Sequence, residues 1–247
     1  MSYNKDFNEL VDKCIIDKQY VGLGNPNAKI LFVGKEAGMP IDSELIHGSS
    51  QLWKENKIDY SNRFIPEEEK LRNRNHTWQK YQRLYNLILD KLNICDTISK
   101  KDFYEISFVE NVFTTELSTL PAPKTSDAKK QKGFKTALEL RKDIFWKSPF
   151  IFKFPIILIF ATDNKYIETY RGEVCKLFDV EYSEQIICAK TDKLWIHYSI
   201  ETKNNVFPKL VIHTRQLTNG ASNELLEKIA DVVSDFIKKY DIKIKVK

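Results

Sequence analysis

Three short apolar runs constrain this chain more than any other feature: residues 28–33, ending abruptly in Gly34, Ile156–Phe160, and residues 210–212, ending in His213. Runs of this length are too short for a helix and apolar at consecutive positions, so they read as strands buried on both faces. Segments with helical spacing separate them. Residues 6–16 space Phe7, Leu10, Val11, Cys14 and Ile15 as one face, residues 75–93 do so with Trp78, Tyr81, Leu84, Tyr85, Ile88 and Leu92, and residues 137–146 and 163–178 read as further helices. Ser222 opens a last helix with Leu225, Leu226, Ile229, Val232, Val233 and Phe236 facing inward. Repeated strand-then-helix units predict a largely parallel α/β sheet covered on both faces, with ligands bound beyond the carboxyl ends of its strands.

Other segments fit the same frame. Residues 103–113 read as a second strand running into a polar, proline-containing loop at 114–132, and residues 185–189 and 194–199 as a hairpin. Residues 39–75 form a long polar excursion with one short helix near 50–54, and long excursions in compact domains tend to be functional.

Composition narrows the class. A chain of 247 residues with 42% apolar and 30% charged residues is expected to fold as a single domain over 1–247. Its apolar runs fall far short of a membrane span, and its first residues lack the apolar stretch of a signal peptide, so the expected location is cytoplasmic. Cys14, Cys95, Cys175 and Cys188 are scattered without a C-x-x-C pair, which predicts reduced core thiols and no metal or cluster site. A net charge of +5 is compatible with a polyanionic partner without requiring one.

Two strand ends carry groups suited to chemistry. The first run delivers Lys35 and Glu36 between Gly34 and Gly38, where glycine permits close backbone approach to a ligand and a carboxylate can orient water or stabilise a positively charged sugar. The bland alternative is a pair of solvated loop residues. The last run ends in His213, followed by Arg215 and Leu217. A neutral imidazole there can donate to a developing anion, Arg215 can meet phosphate, and an exposed Leu217 can wedge into a base stack. A histidine in this place also serves as a satisfied structural residue. Asn111, read as lying at or near the end of the second strand, can pair donor and acceptor with a base edge.

Together these segments resemble the uracil-DNA glycosylase superfamily. The likeness is closest from Gly24 to Gly38, similar to the Gly-Asn-Pro-x-Ala strand and Val-Gly loop of bacterial and archaeal members. His213 and Leu217 match the first and fifth positions of the His-Pro-Ser-x-Leu motif. The resemblance implies a three-layer α/β/α sandwich with a central, mostly parallel four-stranded sheet and a pocket that receives an unstacked base. It implies that Glu36 assists water attack, that His213 steadies the departing base, that Asn111 reads the base and that Leu217 fills the gap left by it.

Departures accompany the match. Lys35 stands where many members carry Gln or Glu, Ala37 or Gly38 replaces the loop proline, and Thr214-Arg215 replaces Pro-Ser. Aligned on the iron–sulfur members, the catalytic glutamate falls on Lys35 and the cluster cysteines are missing.

The implied function is metal-independent and cofactor-free hydrolysis of the N-glycosidic bond of uracil or another damaged base in DNA, by a monomer with DNA as partner and no membrane association. The altered motifs leave two alternatives: a member that binds nucleic acid or a nucleotide without cleaving it, and a hydrolase of free nucleoside-like molecules. Trp53 and Phe64 are candidates for a base-stacking aromatic or for anchors of the long loop.

Overall fold

The computed structural model describes residues 4–41, 49–55, 76–94, 106–189, 191–199, 207–218 and 220–244. Its strands are β1 (Leu23–Gly24), β2 (Ile30–Gly34), β3 (Val112–Glu116), β4 (Ile156–Phe160), β5 (Glu181–Cys188), β6 (Asp192–Tyr198) and β7 (Leu210–Thr214). They form one sheet of seven strands in the order β1-β3-β2-β4-β7-β6-β5. The pairs β3-β2, β2-β4 and β4-β7 are parallel, whereas β1 joins β3 and the hairpin β5-β6 joins β7 antiparallel. The architecture is therefore α/β, with seven mixed strands in place of the four expected. The parallel strands are its centre, and the additions are a two-residue edge and a hairpin.

The central strands are continuous apolar runs because both faces are covered: every residue of β2, β4 and β7 is buried. Alternate residues serve two cores. Leu31, Val33, Phe113, Ile157, Ile159 and Val211 pack beneath helix α1 (Lys5–Ile16), the short α2 (Ser50–Lys54), α5 (Phe134–Arg141), α6 (Pro149–Phe152) and α7 (Glu173–Phe178). Ile30, Phe32, Val112, Ile156, Leu158, Phe160, Leu210 and Ile212 pack beneath α3 (His76–Lys91) and α8 (Asn223–Lys239). Remaining short elements are α4 (Thr125–Ala128), a 3-10 turn at Phe108–Glu110 and a π-helical segment at Lys142–Trp146.

Local chemistry sets the element ends. The Ser222 hydroxyl accepts from Leu225 N and caps α8, whose first turn holds Glu224 and whose last holds Lys238 and Lys239, as the helix dipole favours. The aromatic stripe of α3 is core: Tyr81 lies 5.1 Å from Phe32 and 4.9 Å from Phe160 between ring centroids.

Two expectations are corrected. The second strand begins at Val112, after the 3-10 turn, and extends through Thr114, Thr115 and Glu116 into what read as loop; residues 103–105 lie outside the described residues. Thr115 is tolerated inside because its hydroxyl finds partners, Oγ1 donating to Val21 O and accepting from Arg141. The helix expected over 163–178 starts only at Glu173. Asp163 instead closes a turn by accepting from Lys165 N, and Gly172, at φ 82°, breaks the helical path.

Candidate functional site at the carboxyl end of the sheet

Parallel register brings the strand ends into one row: Glu116 pairs with Gly34, and Phe160 with Thr214. The glycine at position 34 has a direct steric reason. A Cβ built there would run into the Glu116 carboxyl, so that carboxyl lies across the end of β2 and would have to move for any larger residue. Beyond the strands, Leu117 N donates to Gly34 O, Ser118 N to Lys35 O and Ala122 N to Ala37 O, which fixes the 34–38 loop against the loop after β3. Gly38 differs, since nothing lies within 4 Å of a Cβ added there.

Glu36 is held from one side. Thr125 Oγ1, at the start of α4, donates to Glu36 Oε1 at 2.7 Å and accepts from Lys35 Nζ at 3.0 Å, so one hydroxyl orders both side chains. The other carboxylate oxygen, Glu36 Oε2, is buried with no hydrogen-bond partner among the described residues. Glu116 Oε2 and the Tyr166 hydroxyl share that condition, and Tyr166 itself is wholly buried. Burial, together with the neighbouring Glu36 carboxylate, raises the Glu116 pKa to about 8, against the pull of Arg141, so Glu116 carries a proton at neutral pH. Burial, and next the Glu36 carboxylate towards which its hydroxyl is turned within hydrogen-bonding reach, push the Tyr166 phenol well above its ordinary range.

Arg141 fixes this corner from below. Its guanidinium is fully buried and donates to Glu116 O, Tyr20 O, Thr115 Oγ1 and Gln19 Oε1, and it lies 3.9 Å from the Phe145 ring centre. Burial lowers its pKa to about 10, which leaves it charged at neutral pH.

The β7 end is built differently. His213 Nε2 hydrogen-bonds to Ala161 O, and since a carbonyl only accepts, the ring's proton sits on that nitrogen. Burial lowers the His213 pKa to about 4, so the imidazole is neutral with its one N–H committed to the backbone. Arg215 pairs with Asp192 at 2.9 Å, and the second Asp192 oxygen accepts from Ser222 N. Thr218 contacts Thr77 of α3 through their hydroxyls at 2.5 Å. Leu217 is wholly buried in the core beneath α3 and α8.

The residues singled out from sequence thus fall into separate places. Gly34, Lys35, Glu36 and Gly38 share one loop. His213 lies two strands away from β2, about 10 Å at ordinary strand spacing, and its side chain takes the face of Val211, opposite to Ile212. Two placements are corrected. Asn111 closes the 3-10 turn before β3, so it stands at the amino end of that strand, at the opposite end of the adjacent parallel strands from Glu36, because the strand starts one residue after it. Leu217 is not exposed, because the turn after β7 folds it under α8. Trp53 is an anchor: its indole N–H donates to Gly22 O at 2.8 Å and its ring meets Phe7 edge-on. Phe64 lies outside the described residues.

The Gly24-Asn25 turn has a structural explanation. Gly24, at φ 95°, lies so close to Val112 O that a Cβ would sit 2.1 Å from it, and Asn25 accepts from Asn27 N while donating to Glu110 O. Sequence reasoning missed Glu116, Thr125 and Tyr166. Among the described residues no group of three or more His, Cys, Asp or Glu is placed to hold a metal ion. No protein-family model matches the chain, and no curated protein matches it.

Proposed function

We propose that the chain hydrolyses N-glycosidic bonds of a uracil-like or otherwise damaged base, with Glu36 as the group that positions water. The observation that carries this reading is the half-satisfied carboxylate: Thr125 fixes Glu36 Oε1, and Oε2 remains buried and open to accept from a ligand or a water. A buried acceptor left unmet costs about 1–3 kcal/mol, so the arrangement favours a polar partner in that place. The neighbouring Glu116, whose pKa burial and the Glu36 charge raise to about 8, sets a second carboxyl group beside Glu36, and paired carboxyl groups in unlike environments are common in hydrolytic sites.

The reading also draws support from architecture. A parallel centre in the order β3-β2-β4-β7, with helices on both faces, agrees with the three-layer α/β/α sandwich that the resemblance to uracil-DNA glycosylases implies. His213 assists a departing base only if its ring leaves Ala161 O, so the proposal rests on Glu36 first.

A second reading, hydrolysis of a nucleoside-like small molecule or of single-stranded DNA, is favoured by the burial of Leu217, which leaves this residue unable to wedge a duplex apart as placed. One assay addresses both. Labelled oligonucleotides with one uracil, single-stranded or paired with G or A, and deoxyuridine are incubated with wild type and Glu36→Gln, and abasic-site cleavage or free base is measured. Release by wild type and its loss in Glu36→Gln supports the proposal, with the preferred substrate deciding between readings. Release that survives Glu36→Gln removes Glu36 from the chemistry, and no release from any substrate favours a binding role.

A further inference from the structure

The stretch between β3 and α5 carries Lys124, Lys129, Lys130 and Lys132 against one acid, Asp127. Its course is fixed from within. Ala128 and Phe134 are buried, Gln131 Nε2 donates to Pro121 O at 2.8 Å, and Ala122 N donates to Ala37 O at 3.0 Å. The four lysines are exposed on this anchored loop, and Lys124, Lys130 and Lys132 carry no ion pair among the described residues. Lysines elsewhere differ: Lys54, Lys91, Lys142 and Lys147 each sit on a carboxylate. Like charges gathered on one loop without counter-charges create a positive field that an anionic partner relieves.

The loop lies beside Glu36. Thr125, next to Lys124, bonds to Glu36 at 2.7 Å and to Lys35 at 3.0 Å. Lys129 reaches Asp163, in the loop after β4, at 2.7 Å and neutralises it, while Lys165 adds an exposed charge from that second loop. In the sheet order β3-β2-β4 these two loops flank the one that bears Glu36. At ordinary strand spacing β3 and β4 are about 10 Å apart, the rise of about three nucleotides of one strand, so phosphates on either side of a single nucleotide can be met at once.

We infer that the 124–132 loop, with Lys35 and Lys165, forms a surface that holds the phosphate backbone of a polynucleotide strand across Glu36. This rests on the hydrolase reading and narrows its substrate class to bases carried in a strand, as against free nucleosides. Lysine is a flexible point charge that meets phosphate without reading sequence, so the surface supplies affinity and orientation and leaves the choice of base to other groups.

The test is fluorescence anisotropy of labelled oligonucleotides, with and without one uracil, between 50 and 200 mM salt, beside base release from the uracil strand and from deoxyuridine. Wild type is compared with Lys124→Gln/Lys130→Gln/Lys132→Gln and with a control of equal charge change, Lys238→Gln/Lys239→Gln/Lys243→Gln, all checked by thermal melts. The control lysines lie at the other end of the sheet: Phe236, in the last turn of α8, meets Tyr198, which pairs with Leu210 at the amino end of β7. We expect wild-type affinity to fall about 50-fold over that salt range, as for four phosphate contacts, and the loop variant to flatten the slope of log affinity against log salt by about 2. The control should bind within about threefold of wild type.

Equal weakening in both triple variants, or none in the loop variant, overturns the surface, and base release alone then decides the hydrolase reading. Salt-sensitive binding weakened only in the loop variant, with no base released from either substrate, supports the surface and removes the hydrolase reading. Release from deoxyuridine without oligonucleotide binding overturns the surface alone, and neither release nor binding overturns both. Phosphatidylserine vesicles form a last arm: binding to them in preference to the oligonucleotide, through the same three lysines, overturns the polynucleotide as the occupant.

Discussion

The two candidate strand ends satisfy their polar groups in opposite ways. At β7, His213 bonds to Ala161 O, Arg215 to Asp192, Asp192 to the first turn of α8 and Thr214 to Lys193 O. At β2 and β3, one oxygen of Glu36, one oxygen of Glu116 and the Tyr166 hydroxyl are buried and unmet among the described residues. Burying polar groups without partners destabilises a fold, so groups of this kind gathered at a strand end call for an explanation, which the proposed reading supplies as a ligand or a water. The difference makes the β7 end a structural junction and leaves the β2–β3 end as the place on which the proposed chemistry rests, although residue types alone make the two look equivalent.

The largest test of that division is Leu217→Ala. If the β7 turn is core, the truncation costs about 3–4 kcal/mol and lowers the melting temperature by roughly 10 °C; an unchanged melt together with loss of duplex activity would restore Leu217 as a wedge. Next is Glu36→Gln, for which we expect about 10²-fold lower turnover, near 2.7 kcal/mol, and a melting temperature no lower than wild type. A destabilised but active Glu36→Gln protein would place that residue on the structural side.

A smaller effect comes from His213. The folded ring takes a proton only near pH 4 against an ordinary 6.5, so between these values the unfolded chain binds a proton that the folded chain does not. Stability should therefore fall as pH drops from about 6.5 towards 4, by about 2–3 kcal/mol. Urea melts across that range should show the fall in wild type and a flatter response in His213→Gln, whose amide can still donate to Ala161 O; equal slopes would show that His213 does not govern acid stability. Smallest is Asp192→Asn, expected to cost about 1 kcal/mol in chemical denaturation by weakening the link from Arg215 to the start of α8. No cost at all would mean that this end, too, is held loosely.

Legibility from sequence followed burial on both faces. β2, β4 and β7 were plain because a strand covered on each side must be apolar at every position, and α1, α3 and α8 because one apolar face repeats at helical spacing. β3 was displaced since Thr114, Thr115 and Glu116 read as polar, although a β-branched and aromatic run from Val112 to Thr115 was a usable signal. That displacement sent Asn111 to the wrong end of the strand and hid Glu116. Glu36 was legible from glycines at a strand end. Thr125 and Tyr166 were not, because their roles arise from loops that meet only in the fold.

The position of β2 has a consequence for how the chain reaches its fold. Ile30 lies in the first long strand among the described residues, yet its partners are Val112 on one side and Ile156 on the other. Both hydrogen-bonding edges of the most apolar early strand therefore wait for distant sequence. Neither pairing can form until distant sequence is in place, and folds ruled by such non-local pairings form more slowly than those built on local contacts.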